Sequence, residues 1–243
     1  MRRTAIITGS TRGIGRAIGI ELLKNGCDVA FNYSKSLKYA QELQEELNKF
    51  GFQGRYQIVQ ADLSKMDGVQ QMISNLEPKF RALNYLILNA AETDRCALKD
   101  LTHMGWESVL QTNLTVPLFL VQACAPWLQS GGCVLFIGAV MGQFPHAMSL
   151  SYGATKAAIH YLTRGLVKEF AAQQVRVNCI APGFVETDWQ LTKPIEIRKS
   201  IEEKIVLHRF ATSEEIAQCA KMVLENRYIN GSIVNIDGGY CYR

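Results

Sequence analysis

Thr8-Gly9-Ser10-Thr11-Arg12-Gly13-Ile14-Gly15-Arg16-Ala17 decides how this chain is built. The stretch follows the β-branched run Thr4-Ala5-Ile6-Ile7 and opens residues 14–25, whose apolar side chains recur at helical spacing and stop at Asn25-Gly26. A glycine-rich turn between strand and helix lets the backbone approach a diphosphate closely. The helix start adds unpaired N–H groups and the positive end of its dipole. A tight turn without ligand has the same local look, so the rest of the chain must choose between them.

Outward from that turn, short apolar runs alternate with longer amphipathic ones. Strands are expected at residues 4–8, 28–33, 57–60, 85–89, 133–138, 176–181 and 232–236, and helices at 14–25, 37–50, 106–128, 151–173 and 213–224, the last with a capping start at Ser213. This alternation predicts strand–crossover–strand units, hence an α/β fold: a doubly wound, Rossmann-like parallel sheet of about seven strands with helices on both faces. No linker, repeat or low-complexity tract interrupts it. Residues 1–243 therefore read as one domain, with a variable segment near 188–210.

Composition agrees. Of 243 residues, 48% are hydrophobic and 20% charged, with 19 Gly against 6 Pro, which excludes disordered and collagen-like classes. The seven cysteines are scattered and never spaced C-x-x-C, which argues against a disulfide framework or a zinc site and for reduced thiols. No metal site is expected. The first residues show no apolar signal run, and the longest nearly apolar run, residues 133–142, is about half the ~20 residues of a membrane span. A cytoplasmic protein off the membrane is expected. The net charge of +4 comes from interleaved charges without a basic run, so no nucleic-acid partner is expected, and a small anionic ligand suits the field better.

Further marks follow the glycine turn in order: Asp62-Leu63, Asn89-Ala90-Ala91, Asn113 in Thr112-Asn113-Leu114, Tyr152-Gly153-Ala154-Thr155-Lys156, Pro182-Gly183-Phe184-Val185-Glu186-Thr187, and Asp237-Gly238-Gly239. With T-G-x-x-x-G-x-G at the start, this series resembles the short-chain dehydrogenase/reductase family along the whole chain. The closest flavour is that of the 3-oxoacyl carrier-protein reductases. The resemblance implies a nicotinamide cofactor held by Gly9, Ser10, Arg12, Gly13, Ile14, Gly15, Tyr33, Ser34, Asp62, Leu63, Asn89, Ala90, Ala91, Tyr152, Lys156, Pro182, Gly183, Val185 and Thr187. Asp62 stands where the family holds the adenine amino group.

An NAD site usually carries an acid at the end of the second strand to accept from the ribose 2′-hydroxyl. Here that stretch is Phe31-Asn32-Tyr33-Ser34-Lys35-Ser36, without a carboxylate. Arg12, Ser34 and Lys35 offer charge-assisted hydrogen bonds to a phosphate instead, which favours NADP(H).

Tyr152 and Lys156 are four apart on one helix and share a face. An adjacent ammonium favours the phenolate, so a lowered Tyr152 pKa is expected. The resemblance makes Tyr152 the general acid in carbonyl reduction, gives Lys156 the nicotinamide ribose, and lets Asn113 position a water. The family's Ser, thirteen residues before the Tyr, is Ala139 here. Losing one oxyanion donor costs on the order of 10²–10³ in rate, roughly 3–4 kcal/mol. Ser149 and Ser151 lie near Tyr152, and Ser151 is expected to cap the helix. Ala91 replaces a Gly beside the cofactor, and Leu88 stands where a second Asn is common.

Two functions remain open on sequence. One is NADPH-dependent reduction of a ketone, a 3-oxoacyl thioester by resemblance; the other is a weakly active or inactive NADP-binding subunit beside an active paralogue. A non-enzymatic NADP sensor is a third, lesser reading. Lys193, Arg198, Lys199, Lys204, His208 and Arg209 suit a phosphopantetheine or an acidic carrier, or equally a solvated helix face with Glu196, Glu202 and Glu203. Gln173-Gln174 stands where carrier-dependent relatives often have a base. A homotetramer, or a hetero-oligomer with such a paralogue, is expected. The supporting pattern is Val109, Leu110, Leu114, Leu118 and Val121 on one long helix and Ile159, Leu162, Leu166 and Phe170 on the other. By resemblance, the chain end 233–243 lies at a second interface.

Overall fold

The computed structural model describes residues 2–145, 149–191 and 193–242. Thr192, inside the expected variable segment, and Arg243, at the chain end, lie outside the described residues. Seven strands form one sheet: β1 (Thr4–Ile7), β2 (Asp28–Tyr33), β3 (Tyr56–Gln60), β4 (Leu83–Leu88), β5 (Leu128–Ile137), β6 (Arg176–Pro182) and β7 (Ile233–Ile236). Every pairing is parallel, in the order β3-β2-β1-β4-β5-β6-β7. The order reverses between β1 and β4, and in such sheets a crevice opens there at the carboxyl ends of the strands.

The helices are α1 (Gly13–Lys24), α2 (Leu37–Lys49), α3 (Asp67–Asn75), α4 (His103–Leu110), α5 (Val116–Cys124), α6 (Leu150–Glu169), α7 (Asp188–Leu191), α8 (Ile195–Glu202) and α9 (Ser213–Glu225). Strand side chains alternate between two cores. Ala5, Ile7, Val29, Phe31 and Ile87 face α1, α2 and α9, whereas Ile6, Ala30, Leu86, Leu88 and Phe136 face α3, α5 and α6. A third, small cluster of Phe184, Ile201, Ile205 and Phe210 anchors the segment around α7 and α8.

Several expected boundaries move for local reasons. The helix expected at 106–128 starts at His103, where Thr102 caps it by accepting the Gly105 N–H at 3.0 Å. It contains a π turn at Gln111–Thr115 and gives way to β5 already at Leu128. The capping start of α9 belongs to Thr212: its hydroxyl accepts the Glu215 N–H at 3.2 Å, and the Glu215 carboxylate accepts the Thr212 N–H at 2.8 Å. The helix expected to run to residue 173 ends at Glu169.

The composite helix His103–Trp127 is long and apolar enough to cross a bilayer by length and composition, yet Val116, Leu120, Val121 and Cys124 are buried in the second core. Val109, Val121, Ile159 and Phe170 are buried within the chain, and Leu114, Leu162 and Leu166 pack against its core. The four buried residues serve the chain's own core, while Leu110, Leu114, Leu118, Leu162 and Leu166 are partly buried and keep some surface. On these helices Met104, Phe119, Leu150 and Tyr161 are the large apolar side chains most exposed.

Candidate active site

The β1–α1 turn is locked before any ligand is considered. Thr8 Oγ1 accepts the N–H groups of Asn89 and Ala90, both at 2.9 Å, and Asn89 Nδ2 donates to Thr8 O at 3.0 Å and Gly9 O at 2.8 Å. Gly9 has φ +57°, and a Cβ on Gly15 would lie 2.6 Å from Asn89 Nδ2 and 2.8 Å from Gly9 O. Only glycine allows helix, turn and β4 to meet this closely. Asn32 completes the lock: its Oδ1 accepts the Gly9 N–H at 3.0 Å, and its Nδ2 donates to Ala61 O at 3.1 Å. Sequence reading did not single out Asn32, although an amide inside an apolar parallel strand is a signal that it holds backbone.

Ser10 is buried, donating to Ile7 O at 2.7 Å and accepting the Asn32 N–H at 3.0 Å, so its hydroxyl is structural. Ser10 and Gly15 shape the turn from behind. Gly9, Arg12, Gly13 and Ile14 form the wall of a cleft of about 990 Å³. The same cleft is lined by Tyr33, Ser34, Asp62 and Leu63 at one end, by Asn89, Ala90 and Ala91 from β4, and by Pro182, Gly183, Val185 and Thr187 from β6.

At the first end, Asp62 accepts from the Ser34 hydroxyl at 2.9 Å and the Ser64 hydroxyl at 2.8 Å. Burial pushes its carboxyl up, but the hydrogen bonds from Ser64 and Ser34 outweigh it and hold the group below its ordinary range. Arg12 lies 3.0 Å from Asp188 and 5.1 Å from the centre of the Tyr39 ring. Neither partner was expected, since Tyr39 and Asp188 lie far from Arg12 in sequence.

At the other end, Tyr152 and Lys156 project from α6 into the cleft, facing Ala139. Lys156 is 4% exposed and donates to Ile137 O at 2.7 Å, with Nζ 5.3 Å from the Tyr152 ring centre. Burial lowers its pKa to about 8. The Tyr152 phenol is not lowered as expected. Burial pushes it up, and the field of Arg95 only partly opposes that. Tyr152 is thus a protonated hydroxyl at neutral pH, the form a proton donor needs. Ser151 does not cap α6: it is buried and donates to Asp94. Ser149 occupies the N-cap position without a side-chain cap bond and lines the cleft.

Asn113 sits in the π turn rather than on the cleft wall. Its Oδ1 accepts the Glu92 N–H at 2.8 Å, and its Nδ2 donates to Glu92 O at 2.9 Å and Thr155 Oγ1 at 3.1 Å. With both amide protons engaged, its side chain ties the segment after β4 to α6. Glu92 and Arg95, also unexpected, reach the cleft from that segment. The Glu92 carboxylate accepts from Ser108 at 3.0 Å and Thr112 at 3.2 Å.

Residues 3–196 match the family model described as short chain dehydrogenase. The chain belongs to the short-chain dehydrogenase/reductase family. The 3-oxoacyl-[acyl-carrier-protein] reductase FabG of Staphylococcus epidermidis is 30% identical over 243 residues, covering 98% of this chain and 99% of that protein. Among solved structures, a short-chain dehydrogenase from Burkholderia cenocepacia in complex with NADP matches with TM-score 0.91 at 28% identity over 98% of both chains. The angucycline C-6 ketoreductase LanV with bound NADP matches with TM-score 0.93 at 25% identity, covering 99% of this chain and 96% of that one. Membership in the short-chain dehydrogenase/reductases accounts for the seven-stranded parallel sheet and makes this chain an oxidoreductase by family.

Proposed function

We propose that the protein reduces a ketone at the expense of NADPH, with Tyr152 donating the proton. The observation that carries this reading is one cleft holding a glycine turn closed to any Cβ at Gly15 together with a protonated Tyr152 and a buried Lys156.

The residues present fit a phosphorylated dinucleotide. The turn exposes backbone at Gly9 and Gly13, Asp62 offers a carboxylate at the adenine end, and Arg12 stands beside a β2 end whose lining residues Tyr33, Ser34 and Lys35 include no acid. When bound, the nicotinamide supplies the hydride. Tyr152 orients the carbonyl oxygen and transfers its hydroxyl proton to the developing alkoxide. The Lys156 ammonium, fixed by Ile137 O, takes the ribose with its remaining protons and stabilises the phenolate left on Tyr152. Asn113 acts by position, holding Glu92 and Thr155.

The substrate class suggested by the FabG relatives is a 3-oxoacyl thioester. We assign the assembled form as a tetramer in the cytoplasm, formed over the exposed Met104, Phe119 and Tyr161 of the α4–α5 and α6 faces. One observation favours a second reading, that of a supporting subunit beside an active paralogue: Ala139 presents a methyl where a hydroxyl would hold the carbonyl. Steady-state NADPH oxidation with a short 3-oxoacyl thioester, run on the lone protein and on the protein with co-purifying partners, separates the two. Turnover by the lone protein supports the reductase, and turnover only in a fixed-stoichiometry complex supports the subunit. Sedimentation at micromolar concentration tests the tetramer, which a monomer would rule out.

A further inference from the structure

We infer that the ketone reduced in this cleft carries an anionic group, a carboxylate or phosphate, that is held between Arg95 and Lys193. The inference rests on the ketoreductase reading of the site and narrows its substrate.

Both cations line the cleft on the Tyr152 side. Arg95 Nη2 donates to Trp189 O at 3.3 Å, and the Trp189 ring meets the Tyr152 ring edge-on at 6.1 Å. Lys193 donates to Gln190 Oε1 at 2.8 Å and lies 5.7 Å from the Phe184 ring centre. Among the described residues, neither cation has a carboxylate within 4.0 Å. Of the nearby acids, Glu186 is engaged with Arg198 at 2.6 Å, Asp188 with Arg12 at 3.0 Å, Asp94 with Ser151 and Glu92 with two hydroxyls, while Glu196 lines the same cleft but lies beyond 4.0 Å of either cation.

Two like charges therefore face one space with no carboxylate of the described residues in ion-pair contact with either. Burial and the fields of Arg95 and Arg198 push the Lys193 ammonium down to about 8, so the empty arrangement is disfavoured and an anion relieves it. A neutral ketone would be served as well by an apolar wall. A carboxylate or phosphate would take charge-assisted hydrogen bonds from the Arg95 fork and the Lys193 ammonium. Because Arg95 is tied to Trp189, whose ring lies 6.1 Å from the Tyr152 ring, the anion belongs near the reacting carbonyl. The phosphate of a pantetheine arm lies farther off than that.

The test compares 3-oxobutanoate, 4-oxopentanoate and 5-oxohexanoate with their methyl esters, and 2-oxopropylphosphonate as the phosphate-like arm, each with NADPH. At least one free acid or the phosphonate should exceed its neutral counterpart by about tenfold or more in kcat/KM. Arg95→Gln and Lys193→Met should each remove that preference, raising KM for the anionic ketones by about tenfold more than for their esters. A preference for the carboxylates or for the phosphonate identifies the anion. Esters that match or exceed every acid, or variants that slow both alike, overturn the inference. If no ketone is turned over, the reductase reading fails, and saturation-transfer NMR of the same anions on the NADP⁺-loaded protein decides this one. Binding that is lost in Arg95→Gln supports it, and no binding rejects it.

Discussion

The Arg12 guanidinium lies 3.0 Å from the Asp188 carboxylate, so the side chain we propose for a 2′-phosphate already holds an anion of the chain itself. Both side chains are about half exposed, and such pairs contribute little, about 1 kcal/mol or less. A phosphate dianion can take the place of Asp188 at small cost. Arg12→Ala should weaken NADPH binding about tenfold or more while changing NADH by less than about twofold, and Asp188→Asn should tighten NADPH severalfold. Fluorescence titration of both nucleotides checks this. Equal losses for the two cofactors would remove Arg12 from the phosphate.

Restoring a hydroxyl at position 139 should speed the reaction. Ala139→Ser is expected to raise kcat by about tenfold or more, within the 10²–10³ that one oxyanion donor can supply. Tyr152→Phe should abolish turnover with cofactor affinity retained. A parent enzyme as fast as Ala139→Ser would mean that another group, with Ser149 the candidate on the cleft wall, makes the contact.

The pH profile follows from two buried groups with opposite shifts. Lys156 is charged below about 8 and loses its charge as pH rises through that value, while burial keeps the Tyr152 phenol protonated well beyond it. Rates of reduction should therefore fall with a single ionisation near pH 8. Lys156→Arg, which stays charged, should move that limb upward. A profile flat to pH 9.5 would dissociate Lys156 from the reaction.

His160 gives an acid-side prediction for stability. It follows Lys156 by one turn on α6 and is buried, and its Nε2 has no hydrogen-bond partner among the described residues. A Cβ at Gly138 or Gly142 would come within 2.8 Å of its imidazole. Burial, then the fields of Lys156 and Arg164, lower its pKa to about 4. The unfolded chain, with an ordinary value near ~6.5, binds the proton first, so stability is lost as pH falls from about 6.5 towards 4. The full loss should be on the order of 3 kcal/mol, at about 1.4 kcal/mol per pKa unit between about 6.5 and about 4. Urea titrations at pH 7 and 4.5 should show a smaller difference for His160→Leu than for the parent.

The fold was legible because its signals are local and periodic. Alternation of apolar strands and amphipathic helices specifies a parallel sheet, and residues such as Gly26 (φ +86°) and Gly51 (φ +76°) mark helix ends directly. Helix α3 was missed because it is nine residues long, with glycine in its first turn. Gly68 is there for contact rather than helix propensity, since a Cβ would lie 2.0 Å from Asp62 O. Most motif residues line the cleft, with Asn113, Ser10 and Gly15 set behind it, but Asn32, Glu92, Arg95 and Tyr39 owe their positions to contacts across the chain. The rise in the Tyr152 pKa was illegible for the same reason: four-residue spacing supplies a neighbouring charge, whereas burial is a property of the assembled core.

The π turn at Gln111–Thr115 makes this helix sensitive to length in a way that substitution tables do not capture. Each residue of an α-helix advances about 100° around its axis. A π turn takes up one extra residue within a single turn, so deleting one from it would let a regular helix form while the residues after it keep nearly the same face, whereas a deletion elsewhere in the helix would rotate them by that angle. Val116, Leu120 and Cys124 would stay in the second core, whereas Asn113, inside the turn, would be turned away from Glu92 and Thr155. The extra residue therefore serves the contacts of Asn113 rather than the core, so its removal should cost activity while leaving the fold standing.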